Sequence, residues 1–152
     1  MRGRGRAGVR WQTADGEPLV IRVLALAVVG AAGTFFIALG GVSLLAPPHA
    51  SRFLLGFADS PSKHYLELGV RFVVGGAFVL AAPKMLFPAA FGFVGWVLIA
   101  TTVGLLLIPW RWHHRFAQRA VPGALRFLPV VGAASLALGV LVLVAVYRGN
   151  AA

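Results

Sequence analysis

Long apolar runs that contain almost no charge constrain this fold more than any other feature of the sequence. From Leu19 to Ala46 the only charged side chain is Arg22, and a similar uncharged run extends from Leu86 to Ile108. A helix needs roughly 20 such residues to cross the hydrocarbon core of a bilayer. Only 12% of all residues are charged, against about 25% in soluble domains. Lipid is therefore the predicted solvent.

Prolines divide the apolar sequence into helices. The first run stops at Pro47-Pro48, because proline lacks an amide hydrogen and its ring clashes with the preceding turn. Asp59-Ser60-Pro61 predicts a helix start, with a capping oxygen before a proline at the first helical position. The predicted fold class is an all-α polytopic transmembrane bundle of four helices, at about 19–46, 61–82, 86–108 and 125–147.

The two ends of the chain flank one four-helix transmembrane domain, residues 19–148. Residues 1–18 carry four arginines and too little apolar surface to fold alone, which predicts a flexible basic tail; residues 149–152 form a short C-terminal tail. The arginine-rich start also allows a signal peptide. The apolar run that follows is longer than the core of about 7 to 15 residues in signal peptides, which favours an uncleaved helix.

Two connections have the composition of segments at the lipid headgroups. The residues after Pro47-Pro48 mix phenylalanine, leucine and basic side chains, which predicts a short helix in the membrane surface. The connection before the fourth helix is basic and aromatic, with Trp110 and Trp112 as interfacial anchors. His113-His114 allows a metal site, but adjacent side chains on a helix diverge by about 100°, so an interfacial belt is favoured. No metal and no other cofactor is predicted.

Glu67, Arg71 and Arg126 form the candidate intramembrane polar cluster. Glu67 precedes Arg71 by four residues on the second helix, the better order for an ion pair on one face. Arg126 enters the fourth helix from the same side of the membrane, so Glu67 could bridge both arginines. Ionisable groups at membrane depth are functional candidates, each costing about 2.5 to 3.5 kcal/mol at the centre. The alternative is that both arginines extend to the interface and Glu67 neutralises one of them.

A weak internal repeat links the two halves of the chain. Setting Pro47 over Pro109 aligns similar apolar residues before each proline, and Arg71-Phe72 finds a counterpart in Arg126-Phe127. The spacing from proline to arginine differs, 24 residues in the first half and 17 in the second. One interpretation of the match is a duplicated helical hairpin whose copies are related by an axis along the membrane normal. Chance similarity between leucine-rich helices is the alternative.

This order of apolar helix, proline, basic aromatic loop, arginine and glycine-rich helix resembles small uncharacterised bacterial inner-membrane proteins made of one such hairpin. The four-helix form resembles bacterial multi-pass membrane families known as domains of unknown function. The resemblance implies a bacterial plasma-membrane location and supplies no activity. It covers residues 33–148 and rests on Pro47, Arg71, Gly75 and Gly76 in the first half, and on Pro109, Trp112, Pro122, Arg126 and Gly132 in the second.

The net charge of +10 would suggest a nucleic-acid partner in a soluble chain. Here the cations flank apolar runs, which favours anionic lipid headgroups as partners and argues against nucleic acid. The 14 Lys and Arg residues divide equally between the two predicted sides of the membrane. The positive-inside rule therefore does not choose an orientation.

Three functions remain open from the sequence. No nucleophile elbow or phosphate-binding loop is present. Small residues spaced four apart, such as Ala77 with Ala81 and Ala100 with Gly104, let helices approach closely. The favoured function is a noncatalytic membrane component that associates with itself or with a larger complex. The alternative is a small transporter or channel lined by the polar cluster. The third is a membrane enzyme acting on lipid or quinone, with Glu67, His113 and His114 as acid or base groups.

Overall fold

The computed structural model describes residues 18–57, 60–108 and 125–151, and the regular structure in these ranges is helical. Two short 3₁₀ turns, Ala82–Lys84 and Leu125–Phe127, accompany the α-helices. The N-terminal tail predicted for residues 1–18 lies outside the described residues except for Pro18. The α-helices within these ranges are α1 Leu19–Leu45, α2 Pro47–Phe57, α3 Pro61–Ala81, α4 Pro88–Leu107 and α5 Leu128–Ala151.

Four of these helices are long and apolar enough to cross a membrane, which confirms the predicted all-α transmembrane bundle. Only 17% to 33% of the residues in their most apolar windows are buried inside the protein. The remaining apolar surface faces outwards, as expected for helices that are solvated by lipid. The spanning segments are Leu19–Leu45, Pro61–Lys84, Pro88–Leu107 and Leu128–Ala151.

The helix boundaries follow the prolines closely. α1 ends at Leu45 because Ala46, which precedes Pro47, leaves the helical region with φ −141° and ψ 62°. α4 begins at Pro88 rather than at Leu86, because Phe87 adopts a left-handed conformation with φ 63° and ψ 60°. The predicted short helix after α1 is present as α2, whose Phe53 ring lies 6.3 Å from the ring of Phe35 on α1.

The start of α3 is capped as its sequence predicts. The side-chain oxygen of Ser60 accepts a hydrogen bond from the backbone amide of Lys63 at 3.4 Å, and Pro61 occupies the first turn. This cap satisfies one of the amide groups that have no partner within the first turn of a helix. Asp59, the other predicted capping residue, lies outside the described residues.

α1 and α5 pack antiparallel through two glycine contacts. A methyl group on Gly139 would lie 2.6 Å from the carbonyl oxygen of Gly33, and one on Gly40 would lie 2.7 Å from the carbonyl oxygen of Gly132. The two glycines of each helix are seven residues apart, which is close to two helical turns. Both contacts therefore lie on one face of each helix, and the two backbones touch there.

α3 and α4 pack in a similar way. A methyl group on Gly95 would lie 2.7 Å from the carbonyl oxygen of Gly75, and the rings of Phe78 and Phe91 stack with their centroids 5.9 Å apart. α3 also contacts α1, so the helices lie in the order α4, α3, α1, α5. Within the described ranges α4 makes no extended contact with α5. In a duplicated hairpin, α4 would pack against α5 in the same way as α1 packs against α3.

The end of α5 contacts the connection between α3 and α4. We call the end of the bundle that these segments form the turn end. The backbone amide of Leu86 donates to the carbonyl oxygen of Ala145 at 3.0 Å, and the Asn150 side chain donates to the carbonyl oxygen of Lys84 at 3.4 Å. Gly149 lies directly against the Lys84 carbonyl oxygen. These contacts explain why α5 continues through Ala151, so that most of the predicted C-terminal tail is helical.

The opposite end of the bundle is formed by α2, by the starts of α3 and α5, and by the end of α1; we call it the α2 end. Gly40 near the end of α1 faces Gly132 near the start of α5, which places these two helix ends together. α2 follows α1 directly and leads to α3. The first half of α3, which carries the candidate polar residues, therefore belongs to the α2 end.

Candidate functional site

Glu67 and Arg71 lie together on α3. Nη1 of Arg71 is 3.6 Å from Oε1 of Glu67, with 34% of the Arg71 side chain and 40% of the Glu67 side chain exposed. The two residues are about one helical turn apart on α3, so the ion pair forms within this helix and needs no other element. Ion pairs that remain this exposed usually contribute less than about 1 kcal/mol to stability in water. The pair therefore does more to neutralise Arg71 than to hold the bundle together.

Arg71 also contacts α4. Its Nη2 donates to the hydroxyl oxygen of Thr101 at 3.4 Å, and the Thr101 hydroxyl donates in turn to the carbonyl oxygen of Val97 at 2.7 Å. Thr101 lies about 9 Å from the end of α4 at 1.5 Å per residue. The guanidinium thus links α3 to α4 about two turns before the end of α4. An arginine side chain is long enough to reach from this depth to the membrane interface.

Thr101 was not identified from the sequence, because it is uncharged and stands 30 residues from Arg71. A signal was present, since Thr101 and Thr102 carry the only hydroxyl groups of α4. Thr102 is fully buried, and its hydroxyl donates to the carbonyl oxygen of Leu98 at 2.6 Å. Only the first of the two threonines faces Arg71.

The hydrogen-bonding capacity of Arg71 is not exhausted by these partners. Its Nε is buried and has no hydrogen-bond partner, although a guanidinium offers five N–H donors. The hydroxyl oxygen of Ser43 on α1 is also buried without a partner. The cluster therefore includes one buried N–H donor that no described protein atom accepts.

Arg126 lies at the α2 end but does not join the pair. It occupies the 3₁₀ turn before α5 and is exposed, and the ion pair of the described residues links Glu67 to Arg71 alone. The predicted anchors Trp110 and Trp112, with His113 and His114, lie outside the described residues. Within the described ranges, no three His, Asp or Glu side chains come close enough together to hold a metal ion.

An apolar groove follows the outer face of α3. Its volume is about 450 Å³, and it opens towards the surroundings of the bundle. Gly69 lies in the groove and Gly76 stands seven residues further along α3; a methyl group on either would have no neighbouring atom within 4 Å. The residues that line the groove are Tyr65, Leu68, Gly69, Phe72, Val73 and Leu106.

The small-residue pairs predicted from the sequence divide into two groups. Ala77 and Ala81 are buried in the core of the bundle. Ala100 and Gly104 on α4 are exposed, and a methyl group on Gly104 would meet no atom within 4 Å. Small residues in this fold therefore lie both at contacts within the chain and on its outer surface, and spacing alone does not separate the two.

Comparison of the chain with protein-family models, with curated proteins and with solved structures found no match. Its function must therefore be inferred from its own residues, and the polar cluster and the groove on α3 are the two features that bear on it.

Proposed function

We propose that this protein is a noncatalytic, multi-pass component of the bacterial plasma membrane that associates with a second copy of itself through the outer face of α3. The observation that carries this proposal is the pair Gly69 and Gly76. Their spacing of seven residues repeats that of the glycines at which α1 and α5 touch. In the described part of the chain, a methyl group added to either α3 glycine would have no neighbouring atom within 4 Å.

The physics of helix association in lipid supports a helix as the occupant of this face. Apolar side chains gain little by leaving lipid for protein, so helices associate through close packing, and small residues allow the closest approach. The chain already uses this contact three times internally, at Gly33 with Gly139, Gly40 with Gly132, and Gly75 with Gly95. A fourth contact of the same kind on α3 needs only a second helix.

A second copy of α3 fits this face because the face is complementary to itself. Gly69 provides a hollow, while Tyr65 and Phe72 beside it are 56% and 49% exposed and project as ridges. In a twofold-symmetric dimer each ridge meets the hollow of the other copy. Two copies with the same orientation in the membrane would pair their α3 helices in parallel about an axis along the membrane normal.

The replacement Gly69→Leu tests this proposal. Gly69 is exposed, and a methyl group on it meets nothing within 4 Å, so a leucine side chain can extend outwards from the isolated chain, where it fills the hollow that the second copy needs. We expect the parent to be a dimer in mild detergent by light scattering and Gly69→Leu to dissociate at least tenfold more readily. Gly104→Leu, at an equally open glycine of α4, is the matched control and should remain dimeric.

Cross-linking gives an independent measure of the same contact. The chain contains no cysteine, so the single cysteine of Leu80→Cys on the outer face of α3 cannot form a disulfide within one chain, and any disulfide reports contact with another molecule. We expect a disulfide-linked dimer in native membranes, and its loss when Gly69→Leu is added. A parent that is monomeric in both detergent and membranes would contradict the proposal. If a different protein were recovered cross-linked to α3, the partner at this face would be a larger complex rather than a second copy.

A small transporter or channel is the second candidate function, and the cluster of Glu67, Arg71 and Thr101 is the observation that favours it. These residues bring an ion pair, a hydroxyl group and an unsatisfied Nε into an otherwise apolar membrane segment. Ionisable groups at this depth frequently mark transport pathways. Exposed Arg126 stands at the same end of the bundle and would lie at the entrance of such a pathway.

Replacing Glu67 by Gln separates the two functions. As a self-associating component, the protein should dimerise equally well with Glu67→Gln, and vesicles containing the parent should pass chloride and potassium no faster than protein-free vesicles. A transporter or channel would instead show flux in the parent and at least a tenfold change in Glu67→Gln. Chloride and potassium flux can be followed with ion-sensitive dyes in reconstituted vesicles, with Arg148→Gln at the turn end as the control.

A further inference from the structure

The cations of the described chain are distributed unevenly between the two ends of the bundle. At the α2 end Arg52, Lys63 and Arg126 are all exposed, and each comes from a different element. Among the described cations of the turn end, Arg148 is exposed, whereas Arg22 and Lys84 are partly covered. The comparison covers the described cations alone, because four arginines in residues 1–17 and three in residues 109–124 lie outside the described residues.

Few acidic groups balance the charge at the α2 end. Glu67 is the only acidic residue in the part of the chain that the structure describes, and it lies 3.6 Å from Arg71. Asp59, between α2 and α3 in the sequence, is outside the described residues. Even with both carboxylates counted, the basic side chains at this end outnumber the acidic ones, and the excess charge lies at the level where a bilayer carries its headgroups.

α2 has the properties of a helix that lies at the lipid interface. Its Phe53 ring lies 6.3 Å from the ring of Phe35 on α1, and both rings remain about half exposed, which leaves them apolar surface to offer to lipid. Arg52 is exposed, and its Nε donates to the carbonyl oxygen of Pro48 at 3.4 Å. This bond holds the guanidinium beside the first turn of α2. Basic amphipathic helices of this kind bind anionic membrane surfaces.

We infer that the α2 end binds the headgroups of anionic phospholipids, with Arg52, Lys63 and Arg126 contacting phosphate. The three side chains come from separate elements at the α2 end, and all three are exposed, so each is open to a headgroup. Arginine and lysine are both good phosphate ligands. The binding surface is separate from the outer face of α3 proposed for self-association, so either assignment can fail without the other.

Native mass spectrometry of the full chain, with equal amounts of phosphatidylglycerol and phosphatidylcholine added to the detergent, tests this inference. The parent should retain phosphatidylglycerol in clear preference to phosphatidylcholine, and the preference should fall as ammonium acetate is raised. Arg52→Gln combined with Arg126→Gln should weaken phosphatidylglycerol retention about tenfold, since each cation at a lipid surface contributes a factor of about five at most. The matched control, Arg22→Gln combined with Arg148→Gln, should lose much less.

Further variants keep the inference open to contradiction if the double variant does not fold. Arg52→Lys combined with Arg126→Lys retains both charges and should retain the preference. A parent with equal retention of the two lipids would overturn the inference, as would an equal loss in the turn-end control. Displacement of phosphatidylglycerol by millimolar inorganic phosphate would show a site for free anions and would also contradict the lipid assignment.

Discussion

Gly139→Ala is expected to lower the free energy of unfolding by about 3 kcal/mol, the upper end of the usual cost of overpacking. The added methyl group would lie 2.6 Å from the carbonyl oxygen of Gly33 and 2.8 Å from the backbone nitrogen of Ile37. These atoms belong to the backbone of α1 and cannot move aside as a side chain would. α1 and α5 must therefore separate along the contact, and the packing near Gly139 is lost.

Unfolding in mixed micelles, with sodium dodecyl sulfate as denaturant and helix content as the signal, measures this loss. Gly104→Ala is the matched control, because it makes the same change at a helical glycine that has no neighbour within 4 Å. The control should be neutral or slightly stabilising, since alanine favours a helix over glycine by up to about 1 kcal/mol. Equal stability of Gly139→Ala and Gly104→Ala would show that α1 and α5 do not touch at this glycine.

The spanning helices could be predicted from the sequence because their signals are local. A proline acts on its own turn, so Pro47 and Pro61 set the end of α1 and the start of α3 without reference to the rest of the fold. The end of α5 could not be predicted in the same way. Arg148 suggested a helix end, whereas the helix continues because Asn150 and Gly149 contact the connection after α3. That contact depends on the tertiary arrangement.

For the candidate site too, the contact within one helix could be predicted, and the contact between helices could not. Glu67 and Arg71 are four residues apart on one helix, so their pairing follows from helical geometry. Thr101 comes from a neighbouring helix, and only the packing of Gly75 against Gly95 brings α4 close enough for its hydroxyl to accept from Arg71. Glycines are common in all four spanning helices, so the sequence could not show which of them pack against a partner.

Gly149→Ala should loosen the turn end while leaving the contact between Gly33 and Gly139 intact. Its methyl group would meet the carbonyl oxygen of Lys84 and would lie 2.7 Å from Cα of Met85. The last turns of α5 must then move away, which breaks the hydrogen bond from Leu86 to Ala145 and uncovers Met85. Overpacking together with a lost hydrogen bond corresponds to about 2 to 3 kcal/mol.

Hydrogen exchange measured by mass spectrometry distinguishes this local effect from a global one. In Gly149→Ala the backbone amide of Leu86 should exchange at least tenfold faster than in the parent, because its acceptor on α5 has moved, whereas amides in the middle of α1 should be unchanged. Gly30→Ala, at a helical glycine with no atom within 4 Å, should leave both regions as in the parent. Unchanged protection of Leu86 in Gly149→Ala would mean that α5 does not hold this connection. If exchange rose equally in α1 and at Leu86, the turn end would instead be inseparable from the rest of the bundle, since local opening releases only the contacts of one region.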